Sequence, residues 1–177
     1  MRVRDATAGD ADACVQIYTP YVRSTVITFE TEVPTVREMA ARITAARASH
    51  EWLVLEDDGD VIGYAYAHQF NPRAAYLWSV ETSIYLSGVR HRRGGGRLLY
   101  GELLTRLADR GYRRAFAGVT QPNEASMGFH HAFGFERAGE YRRVGWKQGA
   151  WRDVVWLQRD LADGDPYGPP PEITPAI

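Results

Sequence analysis

The chain has 177 residues, of which 45% are hydrophobic, and its 21 basic and 22 acidic residues leave a formal net charge of −1. This length and composition predict one domain with a full hydrophobic core, and the balanced charge gives no global field that would attract nucleic acid or an anionic membrane. No run approaches the roughly 20 apolar residues of a membrane span. The single Cys14 cannot form an internal disulfide, which fits a reducing compartment as well as any protein that lacks bridges, and we expect it to be buried in a helix. Because the first residues contain no apolar segment of the signal-peptide type and no membrane span is predicted, we expect a soluble, cytoplasmic protein.

The first third of the chain predicts a strand, two helices and a hairpin. Residues 2–7 alternate as a strand, and a helix follows that Pro20 ends or kinks. Thr35 and Glu38 stand at the spacing of a capping box, which predicts the start of a second helix. The next two strands, joined by an acidic turn, are predicted at 52–55 and 61–67.

The chain is organised around residues 80–97, where a strand is followed by a loop and a helix. The β-branched residues of 80–86 favour a strand. Alternation puts Val80, Thr82, Ile84 and Leu86 on one face of this strand, and Glu81, Ser83 and Tyr85 on the other. Leucines then recur at helical spacing over 98–107, so the glycines at 94–96 stand where the loop enters the helix.

This helix start has the features of an anion-binding cradle. Unpaired N–H groups and a partial positive charge lie at a helix N-terminus, and residues without Cβ let a phosphate approach the backbone. Arginines at 92, 93 and 97 add formal charge beside Gly94, Gly95 and Gly96. Three glycines alone are also typical of a surface loop that only caps a helix. A dinucleotide fingerprint is excluded because Leu99 stands where its third glycine belongs, and a P-loop because no Gly-Lys-Ser/Thr follows.

The rest of the chain completes a mixed sheet. Residues 70–76 form a loop with Arg73 between aromatic residues, a candidate pocket wall. A strand is predicted at 114–120, then a short helix after Asn123, and two strands around 147–149. We expect the α/β (α+β) class: one domain over 1–162, with a single mixed central sheet flanked by helices. Residues 163–177 are proline-rich and predict an extended tail or an arm lying on a neighbour.

Several motifs resemble those of one enzyme superfamily. His91 to Gly96, after Ile84-Tyr85-Leu86, resembles the acyl-CoA cradle of the GNAT acetyltransferases, although the usual pattern has Gln or Arg at the position of His91. Residues 123–126 and 129–135 are similar to its closing helix and the strand after it. Within the superfamily, the residues that resemble phosphinothricin N-acetyltransferases include Ser24-Thr25-Val26, Phe29, Arg73, Tyr76, Val80-Glu81, Gly145, Lys147, Gly149, Trp151 and Asp153-Val154.

The resemblance implies a fold, an activity and partners. It implies a GNAT fold that binds acetyl-CoA at the central strand and the N-terminus of the next helix, without a metal. It implies transfer of the acetyl group to the α-amine of a small amino acid such as phosphinothricin, methionine sulfoximine or methionine sulfone. It also implies a homodimer and a role in resistance. Another small amine as acceptor, or an acyl-CoA sensor without turnover, are the alternatives. A nucleic-acid partner is not expected, because the arginines near the cradle form one local cluster without an aromatic platform.

The proposed catalytic residues are Glu81 and His130. An α-ammonium must lose a proton before its nitrogen can attack, so a base is needed, and Glu81 on the polar face of the central strand is the candidate. The alternative for Glu81 is a structural ion pair with Arg73. His130 stands where many relatives carry a tyrosine acid, and is predicted as acid, orienting group, substrate contact or ordinary structural residue.

The remaining site residues follow from the same resemblance. The predicted cofactor contacts are Ile84, Tyr85 and Leu86 through their backbones, Arg92, Arg93, Gly94, Gly95, Gly96 and Arg97 at the pyrophosphate, and Asn123 at the pantetheine arm. The predicted substrate contacts are Arg73 as an oxyanion clamp, with Phe29, Tyr76, Thr82 and Ser83 as pocket walls.

Overall fold

The structure, a computed structural model, describes residues 1–88, 94–162, 165 and 167–174. Its seven-stranded mixed sheet has the strand order β1-β2-β3-β4-β5-β7-β6. The strands are β1 (Arg2–Asp5), β2 (Trp52–Asp57), β3 (Asp60–Gln69), β4 (Ser79–Leu86), β5 (Arg114–Thr120), β6 (Glu136–Lys147) and β7 (Ala150–Asp160). The helices are α1 (Ala11–Ser24), α2 (Val36–Ser49), α3 (Gly95–Asp109) and α4 (Glu124–His131). The predicted fold class, a mixed sheet flanked by helices, is confirmed.

Local sequence signals explain several element boundaries. Thr35 and Glu38 form the predicted capping box at the start of α2, with the Glu38 N–H donating to Thr35 Oγ1 at 3.2 Å. Asp58 and Gly59 have φ angles of 54° and 88°, so a tight two-residue turn joins β2 to β3 and both strands are longer than predicted. Pro20 lies inside α1, which continues to Ser24.

Helices cover the two faces of the sheet unequally. On one face α3 packs along most of the sheet width; its buried residues Leu99, Leu103 and Leu107 share a core with Leu53, Val80, Ala115 and Leu157. On the other face α1 and α2 form a second core, with the predicted buried Cys14, that reaches β2, β3 and β4 through Trp52, Tyr64 and Tyr85. The same face of β5, β7 and β6 contributes nothing to this second core. Among the described helices, none is long and apolar enough to cross a membrane.

The described part of the proline-rich tail lies on its own chain. Trp78 Nε1 donates to Pro171 O at 2.7 Å. Arg110 Nε donates to Thr174 O at 2.9 Å, and the Thr174 N–H donates back to Arg110 O at 3.0 Å. Gly111, with φ of 99°, lets the tail approach the end of α3 where a Cβ would overlap Glu172 O. The tail segment that ends at Thr174 is thus attached to its own domain.

Candidate active site

The parallel strands β4 and β5 begin side by side and then separate. Ser79–Glu81 pair with residues 114–116, and beyond Glu81 the structure gives β4 and β5 no further paired residues. β4 stays paired with β3 while β5 follows β7. The sheet therefore contains a wedge-shaped gap that opens beyond Glu81.

Alternation in the β3–β4 ladder decides which backbone groups face this gap. The Ser87 N–H donates to Ile62 O at 2.8 Å, so Ser87 and Ile62 form a hydrogen-bonded pair. Every second pair of an antiparallel ladder is hydrogen-bonded, and the next one along β4 is Tyr85 with Tyr64. The N–H and C=O groups of Ile84 and Leu86 therefore point away from β3, into the gap. Tyr85 was predicted as a backbone contact for the cofactor, but its backbone groups face β3 and are not available to a ligand in the gap.

The Tyr21 hydroxyl of α1 meets the last residue of β4. It donates to Leu86 O at 2.7 Å and accepts from the Leu86 N–H at 3.4 Å. Burial raises the pKa of Tyr21, and the hydrogen bond to Leu86 opposes this rise. The phenol stays neutral and holds α1 against the open end of the gap.

The glycine-rich start of α3 lies at the end of β4. Gly94 precedes the helix with φ of 78°, in the left-handed region that favours glycine. A Cβ on Gly95 would lie 2.7 Å from Leu55 Cδ2, and one on Gly96 would lie 2.9 Å from Leu86 Cδ1. The absence of side chains thus lets the helix N-terminus approach the strand ends closely.

A cavity of about 330 Å³ opens at this helix start. It is lined by Met1, Leu55, Ile62, Leu86, Ser87, Gly94, Gly95, Gly96, Arg97 and Phe129. Its walls combine the end of β4 with free N–H groups of a helix first turn and one arginine, which suits an extended ligand that ends in phosphates. The predicted contacts Arg92 and Arg93 lie outside the described residues.

Asn123 caps α4 beside the cradle helix. Its Oδ1 accepts from the Ser126 N–H at 3.1 Å. This hydrogen bond explains the helix start that the sequence predicted after Asn123. A contact between Asn123 and the pantetheine arm stays a prediction.

Glu81 lies at the point where β4 and β5 separate. Its side chain is 27% exposed, and burial raises the pKa of its carboxyl, while the neighbouring His68 opposes the rise. His68 Nε2 lies 3.9 Å from Glu81 Oε2. Arg73, the alternative structural partner, is exposed and forms no ion pair among the described residues; its backbone N–H donates to Asn71 Oδ1 at 3.1 Å. Glu81 is therefore a half-buried carboxylate without an arginine partner in the part of the chain that the structure describes.

An aromatic wall flanks Glu81 on the uncovered half of its sheet face. Phe116 is the β5 partner of Glu81 and shares its face. Phe70 stacks on Phe116 with ring centroids 4.1 Å apart, and meets Trp156 edge-on at 6.0 Å. Tyr76, a predicted pocket residue, is exposed, with its ring 5.9 Å from Phe70. Sequence reasoning missed Phe116 and Trp156, because their place depends on which strands become neighbours.

The loop between α1 and α2 forms the opposite wall. Lys147 Nζ on β6 donates to Thr28 O at 2.8 Å and to Glu30 O at 2.9 Å. Lys147 is only 6% exposed, and burial lowers its pKa while Glu30 opposes that effect. The Phe29 ring covers Gly145, where any Cβ would overlap it. The glycine and the lysine of the Gly145-x-Lys147 motif thus hold this loop over the open face, a role that the sequence did not reveal.

The predicted pocket residues Thr82 and Ser83 lie on opposite faces of β4. Ser83 shares the face of Glu81, opposite Tyr66 on β3. Thr82 is buried beneath α3, where its hydroxyl shares a 2.8 Å hydrogen bond with the Tyr100 hydroxyl and lies 3.1 Å from Phe116 O. Thr82 therefore belongs to the core, not to the wall around Glu81.

His130 lies on the same side as Thr82, enclosed by aromatic rings. It is 5% exposed, and the ring centroids of Tyr100, Phe129 and Phe135 lie 5.3 to 5.5 Å away. Its Nδ1 lies 2.8 Å from Ser126 O, a carbonyl that can only accept, so Nδ1 carries the proton. Burial lowers the pKa of His130, opposed by this hydrogen bond. The neutral ring then offers Nε2 as an acceptor, which favours the structural alternative over proton donation.

The gap, the cradle and the carboxylate together define a class of protein. A strand edge whose Ile84 backbone groups face the gap, a glycine-rich helix start and a half-buried carboxylate suit an enzyme that takes an acyl-CoA and transfers its acyl group. A family model described as an acetyltransferase (GNAT) domain matches residues 3–156. The chain belongs to the GNAT acetyltransferase family, and acetyl-CoA is its cosubstrate.

Named relatives agree with this assignment over nearly the whole chain. A phosphinothricin N-acetyltransferase of Streptomyces viridochromogenes is 34% identical over 174 residues, 98% of this chain and 95% of the relative. An L-methionine sulfoximine/L-methionine sulfone acetyltransferase of Pseudomonas aeruginosa is 33% identical over 161 residues, 90% and 94% of the two chains. The crystal structure of a phosphinothricin acetyltransferase from Sinorhizobium meliloti in complex with AcCoA is 36% identical, with a TM-score of 0.91 over 99% of this chain and 96% of that one.

Proposed function

We propose that this enzyme acetylates the α-amine of a small amino acid such as phosphinothricin, methionine sulfoximine or methionine sulfone. The observation that carries the proposal is the half-buried Glu81 carboxylate at the separation of β4 and β5, on a face that α1 and α2 leave open. The named relatives support this class of acceptor. The uncovered face between Phe70, Phe116 and the Phe29 loop is the proposed acceptor site.

Glu81 is the proposed general base. An α-amine has a reference pKa of about 7.7–8.0, so much of it is protonated at neutral pH and cannot attack. Burial raises the pKa of Glu81, which brings the carboxylate nearer to the basicity that proton removal requires. Bound acetyl-CoA supplies an acetyl thioester. Glu81 takes the ammonium proton, directly or through a water, and the N–H bond breaks as an O–H bond forms.

Arg73 is the proposed clamp for the acceptor's oxyanion. Its exposed guanidinium has no ion-pair partner among the described residues, so it is free to bind a carboxylate or phosphinate with two hydrogen bonds. Phe29, Tyr76 and Ser83 are proposed as further walls. His130 stays a candidate catalytic residue through its Nε2 atom alone, because its Nδ1 donates to Ser126 O.

The gap and the cradle are the proposed cofactor site. Backbone groups of Ile84 and Leu86 would pair with the pantetheine amides, as an added strand does at a sheet edge, and at Leu86 the ligand would replace the Tyr21 hydroxyl. The first-turn N–H groups at 94–97 would hold the pyrophosphate, with the arginines at 92 and 93 beside them and Asn123 near the pantetheine.

The test is thiol release from acetyl-CoA with a panel of acceptors. The panel contains phosphinothricin, methionine sulfoximine, methionine sulfone, common amino acids and polyamines. We expect turnover with one of the first three, and a loss of about 10²-fold or more in Glu81→Gln. The matched control is Glu136→Gln, an exposed glutamate on β6 that should keep full activity. Turnover only with another amine would overturn the acceptor class, and acetyl-CoA binding without any turnover would favour the sensor alternative.

We also propose a homodimer. Its support is an exposed aromatic pair on the β6–β7 hairpin, formed by Trp146 and Trp151, which are 59% and 58% exposed. The Trp146 and Trp151 rings pack together, with centroids 5.4 Å apart, and exposed aromatic clusters often mark protein interfaces. Sedimentation velocity at micromolar concentration should give twice the mass of one chain, and replacement of both tryptophans by serine should reduce it. A monomer in the unaltered protein would contradict the proposal.

A cytoplasmic location and a role in resistance complete the proposal. A protein that consumes acetyl-CoA needs the compartment in which this metabolite is made. N-acetylation of a toxic amino acid removes its α-ammonium charge, and with it a group that target enzymes recognise. Expression in a bacterium sensitive to phosphinothricin should raise the tolerated concentration, and Glu81→Gln should not.

A further inference from the structure

Glu81 has one imidazole directly across the β3–β4 ladder. His68 is its register partner, so both side chains lie on the same face, with His68 Nε2 3.9 Å from Glu81 Oε2. His68 Nδ1 lies 3.1 Å from the backbone oxygen of Gln69, a group that can only accept. This hydrogen bond places a proton on Nδ1 and turns Nε2 toward the carboxylate. A second proton, on Nε2, makes the ring a cation that faces Glu81.

Other ionisable groups surround this pair. Tyr66 precedes His68 on the same face of β3. Burial is the main cause that raises the pKa of Tyr66, and the charges of Glu30 and Glu81 raise it further. Arg42 of α2 opposes that rise and pairs with Glu30 at 2.7 Å. The charges of Glu30 and Arg42 thus largely neutralise each other in this ion pair. His68 is the neighbour whose charge acts on Glu81.

His68 also connects Glu81 to the outside of the protein. Its side chain is 45% exposed, against 27% for Glu81. A cavity of about 360 Å³ lies beside it, lined by Arg42, Ala45, Ala46, Ser49, His50, Trp52, Tyr66, His68 and Gln69. Protons can therefore reach and leave the Nε2 atom of His68 through solvent while the acceptor covers Glu81.

We propose that His68 is a positioning residue for acetyl transfer: its protonated ring favours the ionised Glu81 carboxylate, and its neutral ring is the next acceptor for the proton that Glu81 removes. This inference rests on the proposed function, in which Glu81 is the base. The proton leaves the α-ammonium for a Glu81 oxygen, then moves to Nε2 of neutral His68, directly or through one water, and from there to solvent. No other bond changes and no redox partner is needed.

The first test compares the pH dependence of kcat/KM in the unaltered enzyme and in His68→Gln. A cation beside Glu81 lowers the pKa of this carboxyl, so its removal should shift the acid limb of the profile to higher pH. We expect His68→Gln to lose roughly fivefold more at pH 6 than at pH 9, the size of one charge–charge interaction near 4 Å in a watery setting. A purely structural role would lower the rate equally at all pH values, and that result would overturn the proposal.

The second test does not need turnover. Carboxyl ¹³C NMR of glutamate-labelled protein follows the titration of Glu81, assigned by the peak that Glu81→Gln removes. The midpoint should rise in His68→Gln and stay unchanged in His131→Gln, the same change at an exposed histidine whose Nδ1 contacts Phe135 O. An unchanged Glu81 midpoint in His68→Gln overturns the pair. Absence of turnover with every acceptor would instead overturn the proposed function, while this titration still decides whether the pair exists.

Discussion

Two neighbouring residues on opposite faces of strand β4 differ in burial and in hydrogen bonding. Thr82 points beneath α3, where its hydroxyl is buried and hydrogen-bonded to Tyr100. Glu81, one residue earlier, points to the face that α1 and α2 cover only as far as β4. Its carboxylate is partly desolvated, and no arginine of the described ranges pairs with it. A polar group that is buried and satisfied contributes to stability, whereas a carboxylate that is partly dehydrated, with only the distant His68 ring beside it, keeps its reactivity.

The contrast arises from the separation of β4 and β5. Where both strands pair, over Ser79–Glu81, the sheet is continuous and α3 covers it. Beyond that point the gap exposes strand backbone, and the uncovered half of the opposite face begins. Glu81 thus lies at the last pair before the gap, between the proposed cofactor site and the proposed acceptor site.

The strongest test of this contrast between Glu81 and Thr82 is to measure both the activity and the stability of Glu81→Gln. We expect kcat to fall about 10²-fold or more, because the amide cannot accept the ammonium proton. The melting temperature should change little, since the side chain gives up only a 3.9 Å contact with the exposed His68 ring. Thermal unfolding monitored by circular dichroism beside the thiol-release assay checks both. A large drop in melting temperature would mean that Glu81 is a structural residue like Thr82.

Gly145→Val tests the loop that closes the Glu81 face. A side chain at Gly145 overlaps the Phe29 ring, so the α1–α2 loop must move away from β6. We expect KM for the amino acid to rise about tenfold, as loss of one aromatic contact predicts, with little change in KM for acetyl-CoA. Steady-state kinetics with each substrate varied in turn separates the two. Gly139→Val, at an open position on the same strand, is the control. Equal changes in both KM values would place the loop at the cofactor instead.

Tyr100→Phe tests the buried face. The change removes one hydroxyl from its hydrogen bond with Thr82, which keeps Phe116 O as a partner. We expect a loss of about 1 kcal/mol in the free energy of unfolding, with kcat/KM within about twofold of the unaltered enzyme. Urea unfolding measures the first and thiol release the second. A selective loss of activity at unchanged stability would show that this face also takes part in the chemistry.

The smallest expected effect is a pH dependence of stability that comes from His50, the residue that follows α2. Burial, with help from Arg110, lowers its pKa from 6.5 to about 4. The unfolded chain then binds more protons than the folded one between these values, so the free energy of unfolding should rise with pH from about 4 to 6.5. His50→Phe keeps a ring to stack on Tyr112 and removes the titration. Its stability should depend less on pH in this interval, as urea unfolding at pH 4.5 and 6.5 would measure. An identical slope in both proteins would contradict this.

Much of the fold was predictable because its signals are local. Strand β5 has the predicted bounds, and the capping box of α2, the acidic turn and the helix after Asn123 were recognised from short sequence patterns. The alternation in β4 even separated Thr82 from Glu81, so placing Thr82 in the pocket conflicted with the pattern itself. Pro20 was predicted to end or kink its helix, but tertiary packing of α1 carries the helix through to Ser24.

The walls of the site were not predictable in the same way. Phe116 and Trp156 are 40 residues apart and meet Phe70 only because β7 lies beside β5 in the sheet order. His68 faces Glu81 through a register that a single bulge would have changed. The attachment of the tail to Arg110 and Trp78 likewise depends on contacts between distant segments. These features follow from strand order and register, which no short pattern encodes.

The hydrogen bonds from Lys147 to the α1–α2 loop have a practical consequence. Lys147 is the only lysine among the 177 residues, and two backbone carbonyls hold its amine inside the protein. An amine-specific reagent such as a succinimidyl ester therefore has a single side-chain target, which it reaches when the loop lifts. The mass added at Lys147 over time would report loop opening in the unaltered protein, with no introduced probe. An enzyme that works with acetyl thioesters thus exposes almost no amine of its own to them.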